Sequence, residues 1–312
     1  MIRIKNCLLP GINMSLIIII VLRNLNPQLW ESNSDTVSFV KGALEANGVI
    51  VKVGLDEIDK DATNLFFHHF NTQPNFPVQL KAAGIKYGIV CTDSISPQGV
   101  WNFGAEGEEA HTHTAFEIAA NNAEFVWCQL PESVEVCRQI NPNSAQLKYG
   151  YLGSMKNISR LPPREQDIDL LMAGMPSPRR KQIMEALSEE GYKTNYPGQP
   201  LPVYIRDALL ARSRLSLSLQ KTDKHQIVSV TRICHSVVNR VPLLLETSNL
   251  EDEYARFCLT TVGTNLLPDV GKHLTETDLE TWSEQRYQEL ADELPMDRFM
   301  ADLLSETVYS RS

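Results

Sequence analysis

The chain has 312 residues, 43% of them apolar and 21% charged, and carries a net charge of -9. A chain of that length overfills one core and suits two domains of about 150 residues each. The acidic balance, with no Lys/Arg-rich run to offset it, excludes a nucleic-acid backbone as the main partner but leaves room for small anionic ligands that need one or two local cations.

From Ser15 the sequence alternates short apolar runs with helical spacing. "SLIIIIVL" (Ser15–Leu22) is too β-branched for a helix and predicts a fully buried strand. "MSLIIIIVL" is about half the length needed to span a bilayer and lacks a small-residue cleavage site, so it predicts neither a transmembrane segment nor a signal peptide. "SDTVSFVKGALEANG" (Ser34–Gly48) predicts a helix stopped by Gly48, followed by strands over Val49–Gly54 and Asn64–Phe70. "KYGIVCT" and "EFVWCQL" predict two more strands with a helix around Thr114–Asn121 between them. "ESVEVCRQI" predicts a short helix and "QLKYGYL" (Gln146–Leu152) a closing strand.

The double proline in "GSMKNISRLPPREQD" breaks the alternation and predicts a linker. The expected division is therefore a first domain over 1–153, a linker over 154–167 and a second domain with a helical tail over 168–312. In the second half "IDLLMAG" predicts a strand and "SPRRKQIMEALSEEG" a helix with Ser177 at its N-cap and Pro178 at its first position. "YKTNY", "PVYIRDALLARS" and "RLSLSL" continue as strand, helix and strand. A helix over Val228–Val238 then feeds the strand "VPLLLE" (Val241–Glu246), and an acidic helical tail follows Leu274. Repeated strand-helix alternation predicts the α/β class, with two doubly wound, Rossmann-like domains facing a cleft. The six cysteines, with no C-x-x-C pair, sit mostly in apolar runs and predict reduced, packed thiols and a cytoplasmic protein.

In open parallel sheets, ligands bind beyond the carboxyl ends of strands and beside helix N-termini. Three features of the second half point there. In "MAGMPSPRR", Gly174 lets the backbone turn, Ser177 caps the helix, and Arg179 or Arg180 is placed to fork onto a phosphate. Arg232 lies on a helix, and Glu246 ends an apolar strand where a carboxylate can accept hydrogen bonds from a ribose diol. Arg232, Asn239 and Glu246 are spaced seven residues apart.

With these motifs the second half resembles the donor-binding domain of GT-B glycosyltransferases, in the group that includes spore-maturation-type bacterial enzymes. The resemblance covers roughly Ser15–Tyr254 and rests on spacing more than on invariant strings. It implies transfer of a sugar from a UDP- or GDP-linked donor to an acceptor hydroxyl, without a metal or other cofactor. It further implies donor contacts from Gly174, Ser177, Arg179, Arg180, Arg232, His235, Asn239 and Glu246. The sequence departs from the group at Ser229 and His235, where the group often carries Glu and Tyr. Those departures keep a catalytically silent binding protein as an alternative, and a nucleotide-sugar epimerase or hydrolase would share the architecture. A dehydrogenase fits less well, because "RNLNPQLWES" rather than G-x-G-x-x-G follows the first strand.

An acceptor hydroxyl needs a general base. The first half offers His68 and His69 at a strand end, Asp93 after "YGIVCT", and His111 and His113 in a loop expected to precede a helix. The H-T-H triplet beside Glu108 and Glu109 has groups able to bind a metal, but a soft loop of alternate histidines lacks a further fixed ligand, and no metal site is predicted. The long, aromatic loop Ser94–Thr114 is expected to contribute to acceptor binding.

Overall fold

The computed structural model describes residues 16–22, 27–67, 73–96, 99–101, 109–221 and 228–311. The first half runs β1 (Ile17–Leu22), α1 (Pro27–Ala46), β2 (Ile50–Leu55), β3 (Thr63–Phe67), α2 (Phe76–Ala82), β4 (Tyr87–Cys91), β5 (Ser94–Ser96), β6 (Gly99–Trp101), α3 (Glu109–Asn122), β7 (Phe125–Cys128), α4 (Pro131–Ile140) and β8 (Ser144–Gln146). Six of these strands form one parallel sheet in the order β2-β1-β3-β4-β7-β8, and β5 and β6 make a separate antiparallel hairpin. The isoleucine run of β1 is buried on both faces. Ile18 and Ile20 face the helix layer containing Phe39 and Leu44, while Ile19 and Val21 face Tyr87 and Phe116. Side chains two residues apart share a face, so one strand serves two cores.

The second half runs β9 (Ile168–Leu171), α5 (Pro178–Glu189), β10 (Thr194–Asn195), α6 (Val203–Arg212), β11 (Ser213–Ser218), α7 (Val230–Val238), β12 (Leu243–Glu246), β13 (Leu259–Thr261), α8 (Leu266–Glu276), α9 (Leu279–Glu293) and α10 (Met296–Thr307). Its strands form a second parallel sheet in the order β10-β9-β11-β12-β13. The strand order reverses between β1 and β3 in the first sheet and between β9 and β11 in the second. Such reversals open a crevice at the carboxyl ends of the strands, because the flanking connections leave to opposite sides.

Three expectations are corrected. The helix predicted from Ser34 begins at Pro27, so Glu31 and Asp35 lie within α1, one turn apart. His111 and His113 stand inside α3, not in a loop before it, because the helix starts at Glu109. The closing strand stops at Gln146, after which the chain leaves the sheet. Tyr151 then pairs with the turn between α9 and α10, donating to the Leu294 carbonyl at 2.7 Å and accepting from Met296 at 3.0 Å. A Cβ at Gly150 would stand 1.9 Å from the Leu294 carbonyl oxygen, so only glycine permits that approach.

The segment 154–167 is pinned to the second half. Asn239 receives the Asn157 and Ile158 amides on its Oδ1 at 2.9 and 2.8 Å, and Arg160 reaches the carbonyls of Ser213 and Arg240. The helices do not respect the same division as the strands. α10, from the end of the chain, packs on the first half, with Trp127 Nε1 donating to Thr307 Oγ1 at 2.9 Å. One continuous apolar cluster joins Ile18, Phe39 and Trp127 of the first half to Cys234, Leu243 and Phe257 of the second. No described helix is long and apolar enough to cross a membrane.

Candidate functional site

A cavity of about 180 Å³ opens between α1 of the first half and the carboxyl-end crevice of the second sheet. Glu31 and Asp35 form its wall on the first half. Gly174, Arg206, Arg232 and His235 face it from the second, and the hydroxyls of Ser216, Ser229 and Thr231 complete a polar lining.

Arg232 enters from the first turn of α7. Burial pushes its guanidinium down to about 10, and the neighbouring Arg180 and Arg206 guanidiniums act in the same direction, so it remains a cation at neutral pH. Its single hydrogen bond among the described residues is a long one, 3.4 Å to Ser218 Oγ, and it has no ion-pair partner there. A Cβ at Gly174 would lie 2.9 Å from the Arg232 guanidinium, so glycine after β9 is what allows the close approach. The first amides of a helix have no partner within it, and Ser229 at the α7 N-cap makes no side-chain cap hydrogen bond. Val230 N donates back to the Val228 carbonyl at 3.0 Å and Ile233 N to the Ser229 carbonyl at 3.1 Å, so the Thr231 and Arg232 amides, the positive end of the helix dipole and a guanidinium without an ion-pair partner among the described residues converge on one wall. That combination attracts an anion.

Arg206 on α6 crosses the cavity to the other half. It donates to both Asp35 oxygens at 2.7 and 2.9 Å, and to Asp207 Oδ1. Burial works against its charge, yet the carboxylates of Asp35 and Asp207 hold its pKa above the usual arginine value. His235 is buried, with Nε2 3.4 Å from Arg206 and 3.7 Å from Asp207 Oδ1. Burial lowers its pKa, against the pull of Asp35 and Asp207, which favours the neutral ring.

A second charged group holds Gln220, two residues past the end of β11. Arg179 clasps Glu246 with both guanidinium nitrogens, and Glu246 Oε2 also accepts from the Gln220 amide at 2.8 Å. Glu246 is only 5% exposed, so a ribose would have to share or replace Arg179 to reach it. Arg180 donates from its guanidinium to the carbonyls of Leu219 and Met175, and from its backbone amide to the capping Ser177 Oγ at 3.2 Å. Burial lowers the Arg180 pKa. Arg232, Arg180 and the Arg179–Glu246 pair therefore meet three successive residues, Ser218, Leu219 and Gln220.

The sequence-predicted residues separate accordingly. Gly174, Arg232 and His235 line the cavity; Ser177, Arg179, Arg180 and Glu246 are not among its walls, the last three holding the chain at Leu219 and Gln220, just past the Ser218 that Arg232 meets. Asn239 lies apart, its side chain filled by the Asn157 and Ile158 amides, the Met155 carbonyl and the His235 carbonyl. Asp93 is buried after β4, where its carbonyl accepts from Ser133 Oγ at 3.4 Å, and it is not among the cavity walls. His68 and His69 lie outside the described residues, as do the side chains of His111 and His113 and the middle of the loop 94–114. Sequence reasoning missed Glu31, Asp35 and Arg206. The available signal was the four-residue spacing of Glu31 and Asp35, which puts both carboxylates on one helix face.

No protein-family model matches the sequence, and no curated protein matches it at the sequence level. Solved structures do match in three dimensions. The trehalose-6-phosphate enzyme from E. coli, solved with UDP-2-fluoro glucose, superposes with a TM-score of 0.56 at 10% identity, covering 92% of this chain and 98% of that one. OtsA in its apo form gives 0.54 at 12% identity, over 93% and 99% of the two chains. A putative UDP-N-acetylglucosamine 2-epimerase from Listeria monocytogenes gives 0.54 at 12% identity, over 96% and 98%. Two parallel sheets with facing carboxyl-end crevices, matched over nearly the whole length of such chains, give this protein the GT-B fold.

Proposed function

We propose that the chain is a glycosyltransferase that moves a sugar from a nucleoside-diphosphate donor to an acceptor hydroxyl, with the diphosphate held at the α7 N-terminus and Arg232. The observation that carries this reading is the half-buried guanidinium of Arg232, without an ion-pair partner among the described residues, lining the crevice at the N-terminus of α7. Loss of the leaving diphosphate develops negative charge on its bridging oxygen, and a fixed cation with oriented amides stabilises that charge more than it stabilises the ground state. Arg179, Arg180 and Glu246 hold the chain at Leu219 and Gln220, next to the Ser218 that Arg232 meets, and so brace that edge of the crevice. The side chains supply this charge by themselves, so turnover is expected to survive EDTA.

Incubation with UDP- and GDP-linked sugars, reading release of free UDP or GDP, tests the reading. Arg232→Ala should weaken UDP or GDP binding by tenfold or more, the loss of about 1.5–3 kcal/mol expected for a hydrogen bond to a charged group. Wild-type protein that neither releases nucleotide nor gains thermal stability from it would overturn the proposal. Donor consumption that needs no acceptor would favour an epimerase or hydrolase instead, a reading that the fold match to the putative 2-epimerase keeps in play. Nucleotide binding without turnover would favour a silent binding protein.

A further inference from the structure

The charges lining the cavity are not all engaged. Asp35 and Arg206 hold each other, and His235 sits against Asp207. Two charged groups on the walls have no ion-pair partner among the described residues: Arg232 on the second half and Glu31 on the first. Their charges are opposite, yet they do not pair with each other, so the cavity is polarised between its two walls. A carboxylate facing an anion site weakens anion binding, which makes Glu31 costly unless its negative charge acts on another part of the ligand.

From this, and resting on the transferase reading above, we propose that Glu31 accepts the proton of the attacking hydroxyl. The hydroxyl proton moves to the Glu31 carboxylate while the oxygen electron pair forms the bond to the anomeric carbon. The anomeric C–O bond breaks, and its electron pair leaves on the diphosphate oxygen facing Arg232. Negative charge thus passes from the first wall to the second, each end of the transfer meeting the group suited to it. Asp35 fixes the position of the base. It lies one helical turn from Glu31 and is clamped to the second half through two hydrogen bonds from Arg206, so the helix bearing Glu31 cannot drift from the crevice.

The experiment compares wild type with Glu31→Gln and Glu31→Asp. UDP and GDP binding is measured by calorimetry, and nucleotide release is followed from UDP-glucose, UDP-N-acetylglucosamine and GDP-mannose, with free hexoses as acceptors. Melting temperatures confirm that each variant folds. Glu31→Gln should bind UDP or GDP at least as tightly as wild type, because a repulsive charge is gone. Its kcat should fall about 100-fold or more, the usual contribution of a general base. Glu31→Asp, which keeps a carboxylate, should recover part of the rate. A Glu31→Gln kcat within threefold of wild type overturns the assignment and leaves the transferase reading standing. Weakened nucleotide binding by a folded Glu31→Gln also overturns it, because Glu31 would then support the donor. Wild-type protein that releases no nucleotide overturns the transferase reading, and the role of Glu31 falls with it.

Discussion

Asp35 and Arg206 meet although 171 residues separate them, and their side chains are only 17% and 15% exposed. A half-buried pair whose partner is removed leaves a charge poorly solvated. Asp35→Ala should therefore destabilise the protein by about 2 kcal/mol, less than a fully buried pair would because Asp207 still serves Arg206. Urea denaturation measures it. His235 gives a pH prediction. Its folded pKa lies below 6.5, chiefly through burial, so the unfolded chain binds a proton more readily. Stability is complete above the unfolded value and declines as pH falls from there toward the folded one. The loss in melting temperature between pH 7.5 and 5.5 should be smaller in His235→Asn. At this scale the sequence was partly readable: Gly174 and Arg232 stand in a strand-turn and a helix start that local pattern reveals. The Asp35–Arg206 contact leaves no local pattern, because only the tertiary fold brings α1 and α6 together.

Elements were legible where composition forced them. The isoleucines of β1 and the leucines of β12 have no fold of this class open to them except buried parallel strands. Boundaries were less legible. α1 gained two turns because Pro27 opens a helix readily, and the apolar spacing read from Val37 onward did not reach that far back. "KYGYL" looks like a strand because Tyr and Leu favour strands, but its backbone pairs with the turn before α10. Gly150 is the test of that departure. Gly150→Ala meets a backbone carbonyl that cannot rotate aside, and should cost about 2–3 kcal/mol, as overpacking does. Thermal melts of the purified variant read it directly.

Across the whole molecule, the apolar cluster running from the first sheet through α7 and β12 ties the two halves into one interior. Unfolding should accordingly be a single transition by circular dichroism and by tryptophan fluorescence, since Trp127 lies in that shared interior. Two separated transitions would contradict it. The presence of two parallel sheets was legible in the strand-helix alternation, but the return of α10 to the first sheet was not, because an amphipathic tail helix carries no mark of which surface it will cover. That return has a practical consequence. A protease cut within 154–167 would sever the covalent joint while the fragments stayed bound through the last helix, like two hands clasped after the rope between them is cut. Co-expressed as separate pieces, 1–160 and 161–312 should therefore copurify as a one-to-one pair.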